Sequence, residues 1–251
     1  MIARIPHVTC SRLKRVDAIV RKCLRDRTGA EDMDDLLGVR VLVSRDADLL
    51  LIRKQLEACP LHVRTRDYVV TPKPSGYRAI HIVFQVPNPL SNSGRCPRYE
   101  IQVRTWPHHL WACTSESLGQ RTKEGDGSAE DMQFLRGLGD RLCSVDAAGF
   151  PMPTYEPTSH RNYYALRIRP RPFRRSITNL GPSLESALAV FGSNERDGAT
   201  GGNVQTVLLN SVSEHDFRIT HISLFPRSLL AELVEGQDCI VPEKVIRRLV
   251  G

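Results

Sequence analysis

The chain has 251 residues, 41% of them hydrophobic, enough for one large core and a smaller second unit. Its 35 Lys and Arg against 28 Asp and Glu leave a net +7, which suits a phosphate-bearing partner; eight Lys/Arg face two Asp over residues 1–28, and residues 160–175 hold six Arg and no acid. No apolar run approaches the roughly 18 residues of a membrane span, no signal-peptide pattern opens the chain, and seven cysteines without a C-x-x-C pair argue against a disulfide framework or a zinc site. These features imply a soluble, cytoplasmic protein with scattered thiols.

Val16, Ile19, Val20, Cys23 and Leu24 recur at helical spacing and predict an amphipathic helix over Ser11 to Arg25 with a basic opposite side. Asp34 and Asp35 then precede a β-branched stretch, Val39 to Val43, expected to be a buried strand. A helix is predicted from Asp46 to Cys59, ended by Pro60. Strands Tyr68–Val70 and Ala79–Val86 bracket the loop Thr71-Pro-Lys73-Pro-Ser-Gly76-Tyr77, in which two prolines fix the backbone and glycine permits a turn. Residues 87–98 form a surface loop, and Tyr99–Thr105 is the next strand. Period-2 geometry puts Glu100, Gln102 and Arg104 on one face of that strand and Ile101 and Val103 on the other. By the same rule His81 shares a face with Val83 and Gln85.

Pro107 suits the first turn of a helix running from His108 to about Leu118. A second helix starts near Ser128 with Met132, Leu135, Leu138, Leu142 and Val145 as its core stripe, and Pro151, Pro153 and Pro157 mark a linker. The expected organisation is a domain over 1–150 and a small accessory domain over 155–251. The latter is predicted as strand 163–169, helix 183–191, strand 204–210, strand 217–223 and helix 227–235, a β-α-β-β-α order like an incomplete ferredoxin-like unit.

Asp35 and Glu100, alone, are each as easily solvated acids at strand ends. What raises their interest is the set of cations around them: Arg12, Lys14, Lys22, Arg40, Arg66 and Lys73. Converging cations and two carboxylates suit transfer of a phosphoryl-type group, where positioning and charge neutralisation dominate and Mg²⁺ needs only one or two carboxylates beside phosphate oxygens. Tyr77 after Gly76 is either core or an exposed ring on which a base stacks. The chain lacks G-x-x-x-x-G-K-[ST], G-x-G-x-x-G after a first strand and G-x-S-x-G, so the site is of another kind.

Five ordered blocks, Arg12-x-Lys14 with Lys22, Asp35-Leu-Leu-Gly-Val-Arg40, Arg66-Asp-Tyr68, Pro72-Lys73-x-x-Gly76-Tyr77-x-x-x-His81 and Glu100-Ile-Gln102-Val-Arg104-Thr105, resemble the synthetase domain of RelA/SpoT-type alarmone synthetases over about residues 10–125. The resemblance implies an α+β fold, a nucleotidyltransferase-like mixed β-sheet flanked by helices. It also implies a small monofunctional enzyme that moves the β,γ-pyrophosphate of ATP to the 3′-hydroxyl of GDP or GTP with Mg²⁺. Arg12, Lys14 and Lys22 would then bind ATP phosphates, with Arg12 and Arg40 also flanking adenine. Asp35 and Glu100 would hold the metal, and Glu100 would act as base. On the acceptor side, Arg66, Lys73, His81, Gln102 and Arg104 would bind the nucleotide and Tyr77 would stack on its base.

Two departures bear on the acceptor. Ser75 stands where relatives often carry Asn, and Trp111-Ala-Cys-Thr-Ser115-Glu116 shifts an expected acid by one residue to Glu116. Together with the Arg-rich run 161–175, they keep open a toxin-type relative acting on adenosine nucleotides or the tRNA 3′ end, and a non-catalytic nucleotide- or RNA-binding module. A homo-oligomer is compatible with the resemblance.

Overall fold

Among the described residues, eight strands form one mixed sheet in the order β3-β4-β5-β2-β1-β8-β6-β7. The computed structural model describes residues 5–87, 96–123, 129–143, 160–170, 173–201 and 204–221. The strands are β1 His7–Leu13, β2 Leu37–Val43, β3 His62–Asp67, β4 Ile80–Gln85, β5 Arg98–Thr105, β6 Asn162–Pro170, β7 Phe173–Gly181 and β8 Gln205–Ser211. The helices are α1 Val16–Asp26, α2 Asp46–Glu57, α3 Trp106–Lys123, α4 Ala129–Cys143, α5 Leu184–Gly201 and α6 Glu214–Thr220. β2 and β5 run parallel; the other six pairs are antiparallel.

Alternation along the strands sends two sets of apolar side chains to opposite faces. Val41, Val43, Ile80, Ile82, Phe84 and Val103 pack with Leu49 and Ile52 of α2. On the reverse face Val8 and Leu42 meet Trp106, Leu110 and Trp111 of α3, Leu135, Leu138 and Leu142 of α4, and Ile219 of α6. The expected face assignments of Ile80, Ile82, Phe84 and Val103 are therefore those observed.

Several expectations are corrected. The N-terminal helix does not start at Ser11: residues 7–13 alternate as β1, burying Val8 and Cys10, and α1 begins at Val16. Arg12 thus lies on a strand and Lys14 in the connection. Moreover, α1 buries none of its residues, and Val16, Val20 and Leu24, expected to face a core, are exposed, Leu24 to 75%. Tyr68–Val70 is a turn after β3, not a strand, because Asp67 Oδ1 accepts from the backbone N–H groups of Val69 and Val70.

The C-terminal half also departs from the predicted order. Residues 173–181 form an unexpected strand, paired with β6, and residues 217–220 of the predicted strand 217–223 belong instead to α6, capped by Ser213 Oγ accepting from Asp216 N–H at 3.1 Å. β8 pairs with β1 as well as β6, so these strands extend the N-terminal sheet instead of building a separate layer. Val145, the proline linker and the predicted helix 227–235 lie outside the described residues. Among the described residues, Cys10, Cys23, Cys59, Cys96 and Cys113 take part in no disulfide.

Candidate functional site

Sheet register brings the predicted residues into two adjacent rows. Arg66 on β3, His81 on β4, Gln102 on β5, Arg40 on β2 and Cys10 on β1 are successive cross-strand partners. In the next row Val83, Glu100, Gly38 and Arg12 follow one another across β4, β5, β2 and β1. Arg12, Lys14, Asp35, Gly38, Val39, Arg40, Glu100, Gln102 and His221 line one cleft.

Glu100 sits in a closed ring of hydrogen bonds. Arg104 donates to the Tyr77 hydroxyl oxygen at 2.8 Å and to Gln102 Oε1 at 2.7 Å. A tyrosine hydroxyl has one proton to give, and His81 Nε2 lies 2.6 Å away, so it accepts. His81 then donates through Nδ1 to Glu100 Oε2 at 2.8 Å, and Gln102 Nε2 donates to Glu100 Oε1 at 2.6 Å. Donors therefore run from Arg104 to Glu100 along both arms. Burial alone would raise the Glu100 carboxyl, but the bond and field of His81 and the bond from Gln102 bring it below its ordinary value. The site holds a buried carboxylate, ionised and pre-oriented.

Asp35 is the second carboxylate. Lys14 bonds to its Oδ2, and Lys22, reaching from α1, bonds to Oδ1 at 2.8 Å. Burial opposes ionisation here too, and the two lysines overcome it, lowering the carboxyl. Arg40 is buried, donating to Thr220 O at 2.6 Å and to Glu116 Oε1 at 3.1 Å. The shifted acid Glu116 thus reaches Arg40 from α3. Arg12 is pushed down to about 10, first by burial and then by the charge of Arg40.

Two predicted residues stand differently than expected. His81 was expected to bind the acceptor nucleotide, yet both its ring nitrogens are engaged, by Tyr77 and Glu100. Tyr77 is half-buried, not an exposed ring: it meets Tyr68, His81 and Trp111 edge-on, with Lys73 Nζ 5.1 Å and the Arg104 guanidinium 5.3 Å from its centroid. Lys73 also stands 4.6 Å over Tyr68. Lys73 and Arg66 are exposed.

The 71–77 loop is held against α4. Gly76 has φ +88, and a side chain there would meet Leu135 O and the Trp111 ring at 3.4–3.5 Å, so only glycine follows this path without strain. Trp111 Nε1 donates to Leu135 O at 2.7 Å and Arg136 Nε to Pro74 O at 2.7 Å, joining α3, α4 and the loop. Gly38 and His221 were missed. A glycine inside the apolar run Leu37–Val43 was the available signal for Gly38; nothing local signalled His221.

Residues 11–122 match the model of the region found in RelA/SpoT proteins. GTP pyrophosphokinase YwaC of Bacillus subtilis (strain 168) is 34% identical over 119 residues, 44% of this chain and 56% of YwaC. GTP pyrophosphokinase YjbM of the same organism is 30% identical over 115 residues, 44% of this chain and 54% of YjbM. The chain thus spans about half the length of these relatives. The crystal structure of small alarmone synthetase 2 from Bacillus subtilis superposes with a TM-score of 0.50 at 28% identity, covering 57% of this chain and 79% of that one. Every carboxylate and cation of the two rows falls inside the matched segment, and His221 falls outside it. Residues 11–122 are thus the part of this chain that is similar to the region found in RelA/SpoT proteins.

Proposed function

We propose that this chain is an ATP-dependent pyrophosphokinase that transfers the β,γ-pyrophosphate of ATP to the 3′-hydroxyl of GDP or GTP. The observation that carries this reading is the pair Asp35 and Glu100 on one cleft, the first clamped by two lysines and the second held ionised by the His81–Tyr77–Arg104–Gln102 ring. The similarity to the GTP pyrophosphokinases YwaC and YjbM agrees with it.

The donor set fits a divalent metal of the Mg²⁺ kind. Among the described residues no group of three or more His, Cys, Asp and Glu is placed to hold a metal, so Asp35 and Glu100 are two hard oxygen ligands that phosphate oxygens would complete. When bound, such an ion supplies charge neutralisation at the transferring phosphates.

The chain's own residues do the rest. Lys14 and Lys22, pre-set by Asp35, receive the phosphates, with Arg12 and Arg40 on the same side of the cleft. Glu100 takes the proton of the acceptor 3′-hydroxyl as that oxygen bonds to the β-phosphorus. The bond between the β-phosphorus and the oxygen bridging it to the α-phosphorus breaks, and AMP leaves. His81 and Tyr77 position Glu100, while the exposed Lys73 and Arg66 are available to acceptor phosphates.

Purified protein incubated with ATP, Mg²⁺ and GDP or GTP should yield AMP and a 3′-pyrophosphorylated guanosine nucleotide in equal amounts. Parallel reactions with adenosine nucleotides and with tRNA identify a different acceptor. Absence of AMP from every reaction, while Glu100→Gln and wild type bind nucleotide alike, would leave a binding module instead.

A further inference from the structure

α6 ends inside the cleft although it lies about a hundred residues beyond the RelA/SpoT region. Its two faces are fixed separately: Phe217 packs with Cys10, Tyr164, Leu166 and Leu209, and Ile219 with the Trp106–Leu142 cluster. Two carbonyls at its end accept bonds from the sheet and from α3: Thr220 O from Arg40 at 2.6 Å, and Ile219 O from His109 Nε2 at 2.8 Å. The position of His221 is therefore set by packing and hydrogen bonds together.

Its protonation follows from its neighbour. Thr220 Oγ1 has one proton, which it gives to the carbonyl of Asp216 at 2.9 Å. Toward His221 Nδ1, 3.0 Å away, that oxygen can only accept, so Nδ1 carries the proton and Nε2 a lone pair. Nε2 is buried and has no hydrogen-bond partner among the described residues, in a side chain 1% exposed that lines the cleft. Burial, with the charges of Arg40 and Arg12, keeps this imidazole neutral. A buried acceptor without a donor costs free energy, on the order of 1–3 kcal/mol, so a ligand that supplies the donor gains from it. Phosphate oxygens only accept; the nucleoside carries donors, either a base amino group or a sugar hydroxyl.

We infer that His221 Nε2 is a nucleotide-binding group contributed by the C-terminal strands and helix, accepting a hydrogen bond from an N–H or O–H of the nucleoside held beside Arg12 and Arg40. This rests on the reading of the cleft as an ATP site.

Calorimetric titration of the full chain with a non-hydrolysable ATP analogue, its purine riboside counterpart lacking the 6-amino group, and its 2′-deoxy and 3′-deoxy forms tests the inference. Wild type should bind one of the altered ligands about 3- to 10-fold more weakly than the parent, which identifies the donor as base or sugar. His221→Ala should bind the parent about 3- to 10-fold more weakly and that altered ligand with no further loss. His221→Gln, which keeps an acceptor, should recover part of the affinity. Equal binding of all four ligands by wild type overturns the inference without reference to any variant, as does a His221→Ala loss shared equally by all ligands. If wild type binds none of them, both this inference and the ATP-site reading fall. If AMP and product form normally but no ligand discriminates through His221, only this inference falls.

Discussion

His81 donates through Nδ1 to Glu100 Oε2 at 2.8 Å, across the antiparallel pair β4 and β5. Glu100 is buried, and burial by itself would raise its carboxyl; the bond and field of His81 are the largest of the influences that bring it below its ordinary 4.5. A carboxyl depressed in the folded state adds stability above its unfolded pKa, and this is lost as pH falls through the lower folded value. Wild type therefore keeps Glu100 ionised to below pH 4.5. In His81→Ala burial dominates, so the acid limb of kcat/KM for AMP formation should move to higher pH, and the rate at neutral pH should fall by about 10- to 100-fold. Paired pH–rate profiles measure both effects. An acid limb that stays in place would mean that Glu100 is held ionised by something other than His81.

Tyr77→Phe removes one oxygen and leaves every ring contact. Arg104 is buried, and among the described residues its Nε and Nη1 have no hydrogen-bond partner, so loss of the Tyr77 oxygen leaves its Nη2 with Gln102 as its remaining acceptor in the ring. Leaving buried donors short of acceptors costs about 1–3 kcal/mol. The urea midpoint of Tyr77→Phe should fall accordingly with the slope of the transition unchanged. No change in midpoint would mean that the ring contributes orientation but not stability.

Gly38 lies in register between Arg12 and Glu100, and a Cβ built there meets nothing within 4 Å. Its backbone is not in the left-handed region, so the glycine is not required by local conformation. What it leaves is open floor in the cleft. Gly38→Val should keep or slightly raise thermal stability, since β-branched residues suit strands, while nucleotide affinity and AMP formation fall by about 10-fold or more as the side chain occupies the space beside Arg12 and Glu100. Melting temperature and a nucleotide titration on the same sample separate the two effects, and a loss of both together would make Gly38 a folding residue.

How much of this was readable beforehand depends on the range of the forces involved. Period-2 alternation was enough to put Glu100, Gln102 and Arg104 on one face, because strand geometry is local, and they do bond to one another. The same logic should have found β1, where Val8 and Cys10 alternate, but the longer helical spacing from Val16 to Leu24 drew the helix boundary back to Ser11. β7 was not legible: in Arg174-Arg-Ser-Ile-Thr-Asn the strand is held by backbone pairing to β6, with Ile177 as its partly buried anchor. The closing of the ring was beyond sequence as well, since it needs Tyr77 folded back on His81 by the clamp of Trp111 and Arg136. α6 is seven residues long, too short for periodicity to distinguish it from a strand, and its site role depends on tertiary docking alone.

Asp35 accepts from Lys14 and from Lys22, and the two cations bring its carboxyl below the ordinary 3.8 against the opposing effect of burial. If its role is to hold a divalent metal while pre-setting those lysines, neutralising it has opposite effects on binding and turnover. Asp35→Asn frees two positive charges for phosphate, so the affinity for an ATP analogue without metal should stay level or rise, and should weaken more steeply with salt than in wild type. AMP formation with Mg²⁺ should fall by about 100-fold or more, because one of the two carboxylate ligands has gone. Raising the Mg²⁺ concentration should recover part of the loss. Titration with and without Mg²⁺ at two salt concentrations, beside the turnover assay, distinguishes this from a purely structural clamp, for which affinity and turnover would fall together and added Mg²⁺ would restore neither.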